Sequence, residues 1–148
     1  MVKLEKTKVL ICAGGTGGHI FPALAVAETL QNRGYQAHLF TDWRGANLLK
    51  GAPSLPAKIS VIAAASPFQQ GTIKRALAVA KLTLGAVASL YHLLIRRPAL
   101  IIGFGGYPSF APLLAGRLLG IPILLHEQNA FLGRANHMLA KFAGALAL

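Results

Sequence analysis

Lys8-Val9-Leu10-Ile11-Cys12-Ala13-Gly14-Gly15-Thr16-Gly17-Gly18-His19-Ile20-Phe21-Pro22-Ala23-Leu24-Ala25-Val26-Ala27 decides the fold. It reads as strand, glycine loop, helix. The apolar run before the loop suits a strand buried in a parallel sheet. Four glycines in five positions reach backbone torsions other residues avoid and let a ligand come close. Pro22 suits a first helical turn, where its missing N–H costs nothing. Such a loop aims backbone N–H groups and the positive end of a helix at one point, which favours an anion, usually phosphate. His19 sits at the rim. A purely structural glycine turn is the plainer alternative.

Two known phosphate recipes do not fit. The dinucleotide fingerprint needs a third glycine where Ile20 stands, counting from Gly15 and Gly17; counted from Gly14, the middle glycine is missing. The P-loop needs Gly-Lys-Ser/Thr, and no lysine follows these glycines.

Outward from this stretch, strands and helices alternate. The pattern predicts helices over 20–32, 46–50, 110–119 and 133–142, with strands over 36–40, 58–64, 99–102, 121–125 and 145–148. Residues 52–56 read as a loop, and 66–72 as a polar, mobile turn. This alternation implies an α/β fold: a Rossmann-like parallel sheet flanked by helices, with right-handed crossovers. Ligands in such sheets bind beyond the carboxyl ends of the strands. Three unusual segments converge there: the first glycine loop, Gly103-Phe104-Gly105-Gly106-Tyr107-Pro108-Ser109, and His126-Glu127-Gln128-Asn129.

Residues 73–95 are long and apolar, close to the ~20 residues a membrane span needs. Lys74, Lys81, Gly85, Ser89, His92 and Arg96 recur roughly along one side at helical spacing. That favours a one-sided crossover helix packed on the sheet over a span, with a partly membrane-facing surface as the other option. Lys74, Arg75, Arg96 and Arg97 bracket the segment and could meet anionic headgroups.

The 148 residues suit one domain. The formal charge is +11, and nine basic residues but no acid lie between Asp42 and Glu127. This points to an anionic partner, and the apolar excess favours a membrane surface over nucleic acid, for which no motif is present. Cys12 is the only cysteine, so no internal disulfide can form; it reads as a small buried hydrophobe. Residues 1–8 lack the apolar core of a signal peptide. Asp42, about twenty residues past a glycine loop, could bind a ribose in a dinucleotide domain. A helix-capping aspartate is the commoner explanation.

His19, His126 and Glu127 are the proton-handling candidates at the strand ends. Gln128, Asn129 and Tyr107 are candidate donors to a sugar or phosphate. No Asp-x-Asp pair is present to carry a metal–diphosphate complex, and His126-Glu127 lacks the second histidine of a zinc-protease helix, so neither a metal nor a cofactor is expected. His38, His92 and His137 read as structural hydrogen-bonders.

Gly14 to Ala27, Gly105-Gly106-Tyr107-Pro108-Ser109 and His126-Glu127-Gln128-Asn129 closely resemble the bacterial MurG family, in order along the chain. The resemblance implies the amino-terminal, acceptor-binding half of a two-domain GT-B glycosyltransferase, with the donor-binding domain outside this chain. It implies inverting, metal-independent transfer of N-acetylglucosamine from UDP-N-acetylglucosamine to the C4 hydroxyl of lipid I, giving lipid II on the cytoplasmic face of the inner membrane. It makes His19 the candidate base. Thr16, Gly17, Gly18, Gly105, Gly106 and Tyr107 would hold the acceptor diphosphate. Asn129 would touch the donor sugar, and Asn136 would line the cleft with His126, Glu127 and Gln128. The membrane surface would fall on 73–97. Without the donor half, turnover is not expected. A membrane-anchoring subunit of a split N-acetylglucosaminyltransferase and a dinucleotide-binding oxidoreductase domain remain as alternatives.

Overall fold

The computed structural model describes residues 7–52, 54–66 and 71–148. The expectations for residues 1–6 and for the centre of the 66–72 turn lie outside the described residues.

Six strands form one parallel sheet: β1 (Lys8–Cys12), β2 (Gln36–Thr41), β3 (Lys58–Val61), β4 (Leu100–Gly103), β5 (Ile123–His126) and β6 (Ala145–Ala147). Their spatial order is β3-β2-β1-β4-β5-β6. The order reverses between β1 and β4, which pair directly from Val9↔Leu100 to Cys12↔Gly103. That reversal opens a crevice at the carboxyl ends of those two strands, and both glycine loops leave from there.

The helices are α1 (Gly17–Asn32), α2 (Trp43–Leu48), α3 (Thr72–Arg96), α4 (Phe110–Leu118) and α5 (Arg134–Leu139). They cover two separate cores. One joins Val9, Ile11, Leu39 and Ile102 to Ile20, Ala23 and Ala27 of α1. The other joins Leu10, Phe40, Ile101 and Leu125 to Leu93 of α3 and Leu113 of α4. Alternating residues of each strand serve opposite faces, so both sides are apolar and the strands read as continuous hydrophobic runs. Cys12 is buried in the second core, and burial pushes its thiol well above the usual range. It acts there as a small hydrophobe.

Besides shifted bounds, with α2 at Trp43–Leu48 rather than 46–50 and β3 ending at Val61 rather than 64, two sequence expectations change. First, α1 begins at Gly17, three residues early, because the amides of His19 and Ile20 both bond to the Thr16 carbonyl. Pro22 therefore lies in the second turn. It cannot donate to the Gly18 carbonyl, which is left open beside the loop.

Second, α3 is a crossover helix, but its packing is inverted. The inward side carries Ala78, Gly85, Ser89 and Leu93. A Cβ on Gly85 would collide with the Ala63 carbonyl oxygen. Small residues let the helix approach closely. Lys74, Lys81 and Arg96 are exposed, so the predicted polar side does not hold together. The outward side shows Ile73, Leu77, Leu84, Val87, Tyr91 and Leu94, each about half to three-quarters exposed. Only 22% of its most apolar 18-residue window is buried.

Asp42 caps α2. Its Oδ1 accepts from the Gly45 amide at 3.0 Å, and its Oδ2 accepts from Arg44 at 2.8 Å. The capping explanation holds.

Candidate active site

The crevice is built by two glycine loops pressed together. The Gly14 amide donates to the Gly105 carbonyl at 2.8 Å, and the Phe104 amide donates to the Cys12 carbonyl at 2.8 Å. A Cβ on Gly14 would lie 2.8 Å from Gly106 Cα. Gly105 and Gly106 have φ of +93° and +77°, which side-chain-bearing residues rarely adopt. Beneath them the fully buried Ser109 hydroxyl spans the Cys12 and Gly105 carbonyls at 3.0 and 2.9 Å. Sequence reasoning placed Ser109 in the motif without giving it this role.

Thr16 precedes α1 but its hydroxyl does not cap the helix. It pairs instead with His19 Nδ1 at 2.7 Å. The first-turn amides of Gly17 and Gly18 have no intrahelical acceptor and remain available to a ligand. Burial lowers the His19 pKa from its ordinary 6.5, and the Glu127 charge opposes that shift. His19 is therefore neutral near pH 7.

The third wall is the segment after β5. Glu127 is 2% exposed and organises it. Oε1 accepts from the Asn129 amide at 3.0 Å and from Asn129 Nδ2 at 2.8 Å. Oε2 accepts from the Gly133 amide at 3.0 Å and from Asn136 Nδ2 at 2.9 Å. Burial would raise the carboxyl pKa, but the amide donors of Gly133 and Asn129 and the side-chain donors of Asn136 and Asn129 together hold it below the ordinary 4.5.

His19, Gly106, Tyr107, Glu127 and Asn136 meet around one cavity of about 200 Å³, with Gly133, Arg134 and Ala135 completing it. Thr16, Gly17, Gly18, Gly105, His126, Gln128 and Asn129 do not line this cavity; Asn129 folds back on Glu127. His126 stacks on Phe104, ring centroids 5.0 Å apart. Its Nδ1, Gln128 Oε1 and Asn136 Oδ1 are buried without a partner. Arg134 was missed by sequence reasoning. Its only signal was a basic residue directly after Gly133 at a helix start.

Residues 9–148 match the glycosyltransferase family 28 N-terminal domain. The chain belongs to that family. The "UDP-N-acetylglucosamine--N-acetylmuramyl-(pentapeptide) pyrophosphoryl-undecaprenol N-acetylglucosamine transferase" of Methylobacterium radiotolerans is 47% identical over 141 residues, covering 94% of this chain and 37% of its own length. The protein of that name from Sinorhizobium medicae is 43% identical, covering 97% of this chain and 38% of its own. The crystal structure of Acinetobacter baumannii MurG superposes with a TM-score of 0.77 at 32% identity, covering 95% of this chain and 40% of that one. The resemblance to MurG read from the three motifs is borne out, as is the GT-B-type fold. The Streptomyces glycosyltransferase SsfS6, at 13% identity and a TM-score of 0.62, shares the fold alone. This family-28 domain spans a little over a third of the length of the curated relatives it matches.

Proposed function

We propose that the chain is the acceptor-binding half of a transferase that moves N-acetylglucosamine from UDP-N-acetylglucosamine to lipid I. The observation that carries this reading is the cavity at the β1/β4 reversal. Neutral His19, Gly106 and Tyr107 of the second glycine loop and the Glu127-ordered segment line it, and Gly14 of the first loop packs on Gly106. The activity for which the relatives are named supplies the substrates.

In this reading the Gly17 and Gly18 amides and the Gly105–Tyr107 loop bind the acceptor diphosphate. His19 takes the proton of the sugar hydroxyl as it attacks the anomeric carbon and UDP departs. That role requires the Nδ1–H tautomer, with Thr16 accepting and Nε2 free. Glu127 positions Asn129 and Asn136 rather than touching the substrate, since all four of its hydrogen bonds are internal. A donor-binding domain outside this chain closes the cleft and supplies most of the UDP site. The apolar outer stripe of α3, with Lys74, Arg75, Lys81, Arg96 and Arg97 around it, rests on the anionic cytoplasmic face of the inner membrane.

A thermal-shift panel with a soluble lipid I analogue, UDP-N-acetylglucosamine and NAD tests this. Stabilisation chiefly by the lipid I analogue is expected. Stabilisation by NAD alone would overturn the reading.

A further inference from the structure

A second polar cluster lies at the opposite edge of the sheet, where β1, β2 and β3 begin. His38 on β2 sits with Nε2 2.9 Å from Ser60 Oγ on β3. His92 on α3 places Nε2 3.1 Å from His38 Nδ1. Both rings stand edge-on to Phe40. Beside them is a cavity of about 40 Å³ whose polar lining is Lys8, Gln36, His38, Lys58, His92 and Arg96. That is room for about three waters, or one small oxyanion.

The electrostatics of this cavity are one-sided. Cations approach from β1, β3 and α3, and among the described residues no carboxylate lines it. Among the described residues, no acid pairs with Lys58 or Arg96. Burial, followed by the charges of His92, Lys58 and Arg96, lowers the His38 pKa from its ordinary 6.5 to about 4. Burial, then Arg96 and Lys58, lower His92 as well. Among the described residues, every charge that acts on the pair is positive. At neutral pH the imidazoles stay neutral, and Lys58 and Arg96 have no counter-charge among the described residues.

The hydrogen-bond geometry accommodates an added proton. A protonated His38 donates through Nδ1 to His92 Nε2 and through Nε2 to Ser60 Oγ, so neither contact is lost. An anion in the cavity would offset the cationic field and favour that proton.

We propose that this cavity binds a small oxyanion of the phosphate class, held by Lys58 and Arg96 and completed by proton uptake on the His38–His92 pair. The pairing of a guanidinium, an ammonium and a protonatable imidazole suits a phosphate better than a single carboxylate. The ligand is a free phosphate or a lipid phosphate. The latter is within reach because α3 carries Arg96 and the exposed apolar stripe together.

The test follows the histidine side-chain ¹H–¹⁵N signals of the chain while inorganic phosphate is added at about pH 6, where proton uptake can register. Saturable shifts of His38 and His92, with titration moved to higher pH, are expected. Lys58→Gln and Arg96→Gln, both exposed and safe for folding, should each weaken binding by roughly tenfold. Lys141→Gln, exposed after α5 and not lining the cavity, should leave it unchanged. Unmoved histidine signals would overturn the proposal, as would equal weakening by Lys141→Gln, which would mean diffuse surface charge. Flotation with phosphatidylglycerol vesicles then names the source. Loss of vesicle binding in Lys58→Gln identifies a lipid phosphate, and unchanged vesicle binding identifies a free one. Neither result depends on transfer activity.

Discussion

Gly14 and Gly106 cross backbone to backbone at the mouth of the crevice: a Cβ on Gly106 would stand 2.6 Å from Gly14 Cα. The contact ties the loop after β1 to the loop after β4, so two phosphate-facing segments share one rigid support. Gly106→Ala combines this clash with a φ of +77°. It is expected to cost about 1–3 kcal/mol by chemical denaturation and to abolish acceptor binding. Gly120→Ala is the comparison. Gly120 also has positive φ, but a Cβ there meets nothing within 4 Å. It should show the backbone strain alone. Equal losses at the two positions would mean the crossing is not tight.

Glu127 holds the segment after β5, and the sign of its pH effect follows. Its folded pKa lies below the ordinary 4.5, so its stabilisation is fully present above that value. It is lost as pH falls through the folded pKa. Glu127→Gln removes the charge and turns one acceptor into a donor that faces other donors. A loss of about 1–3 kcal/mol at neutral pH is expected, shrinking towards pH 4. The check is a set of denaturant melts across that range. A difference that stays constant with pH would assign the loss to packing instead.

His19 and Thr16 act as a pair. On the proposed function, His19→Ala in a transferase that carries this domain with a donor-binding domain should lower kcat by roughly 10²–10⁴ with KM moving far less. Equal losses in both would make His19 a ligand contact. Because burial lowers its pKa below 6.5, activity should persist into mildly acidic buffer and fall only as pH descends through that depressed value. Thr16→Val removes the partner of Nδ1 at little change in volume. It should lower kcat by a smaller factor, and Thr16→Ser should restore it. Rescue separates fixing the tautomer from mere packing.

The parallel sheet and the three converging loops were legible because each rests on a local rule. Val9 to Cys12 is a continuous apolar run, and the glycines from Gly14 onward break it into a loop before the helix. The residues that fill the site were only partly legible. Glu127 looks like a proton-handling group in one dimension, and only the fold shows Asn129, Gly133 and Asn136 consuming both of its oxygens. Arg134 had no pattern to announce it. The start of α1 was misplaced because glycines argue against helix locally, while the Thr16 carbonyl accepts two amides and extends the helix over them. For α3, periodicity located the helix but reversed its sides. The usual rule sends large apolar residues inward, whereas Gly85 and Ser89 take that place because the helix must pass close to Ala63.

That reversal makes a prediction that separates stability from membrane binding. Leu84 and Tyr91 are 65% and 68% exposed on the outer stripe of α3. In an ordinary amphipathic helix, replacing two large apolar residues by polar ones would unfold the domain. Here Leu84→Gln with Tyr91→Ser should leave the denaturation midpoint nearly unchanged, within about 0.5 kcal/mol. The same double change should weaken binding to phosphatidylglycerol vesicles by roughly tenfold for each side chain that enters the bilayer. Neutralising Lys74 and Arg75 should also weaken it, and raising the salt should erase that second effect because headgroup attraction is screened. Sedimentation with vesicles at two ionic strengths reads all of this. Unchanged vesicle binding in the double variant would remove α3 as the membrane surface. A large drop in stability would mean that the stripe is covered by protein rather than lipid.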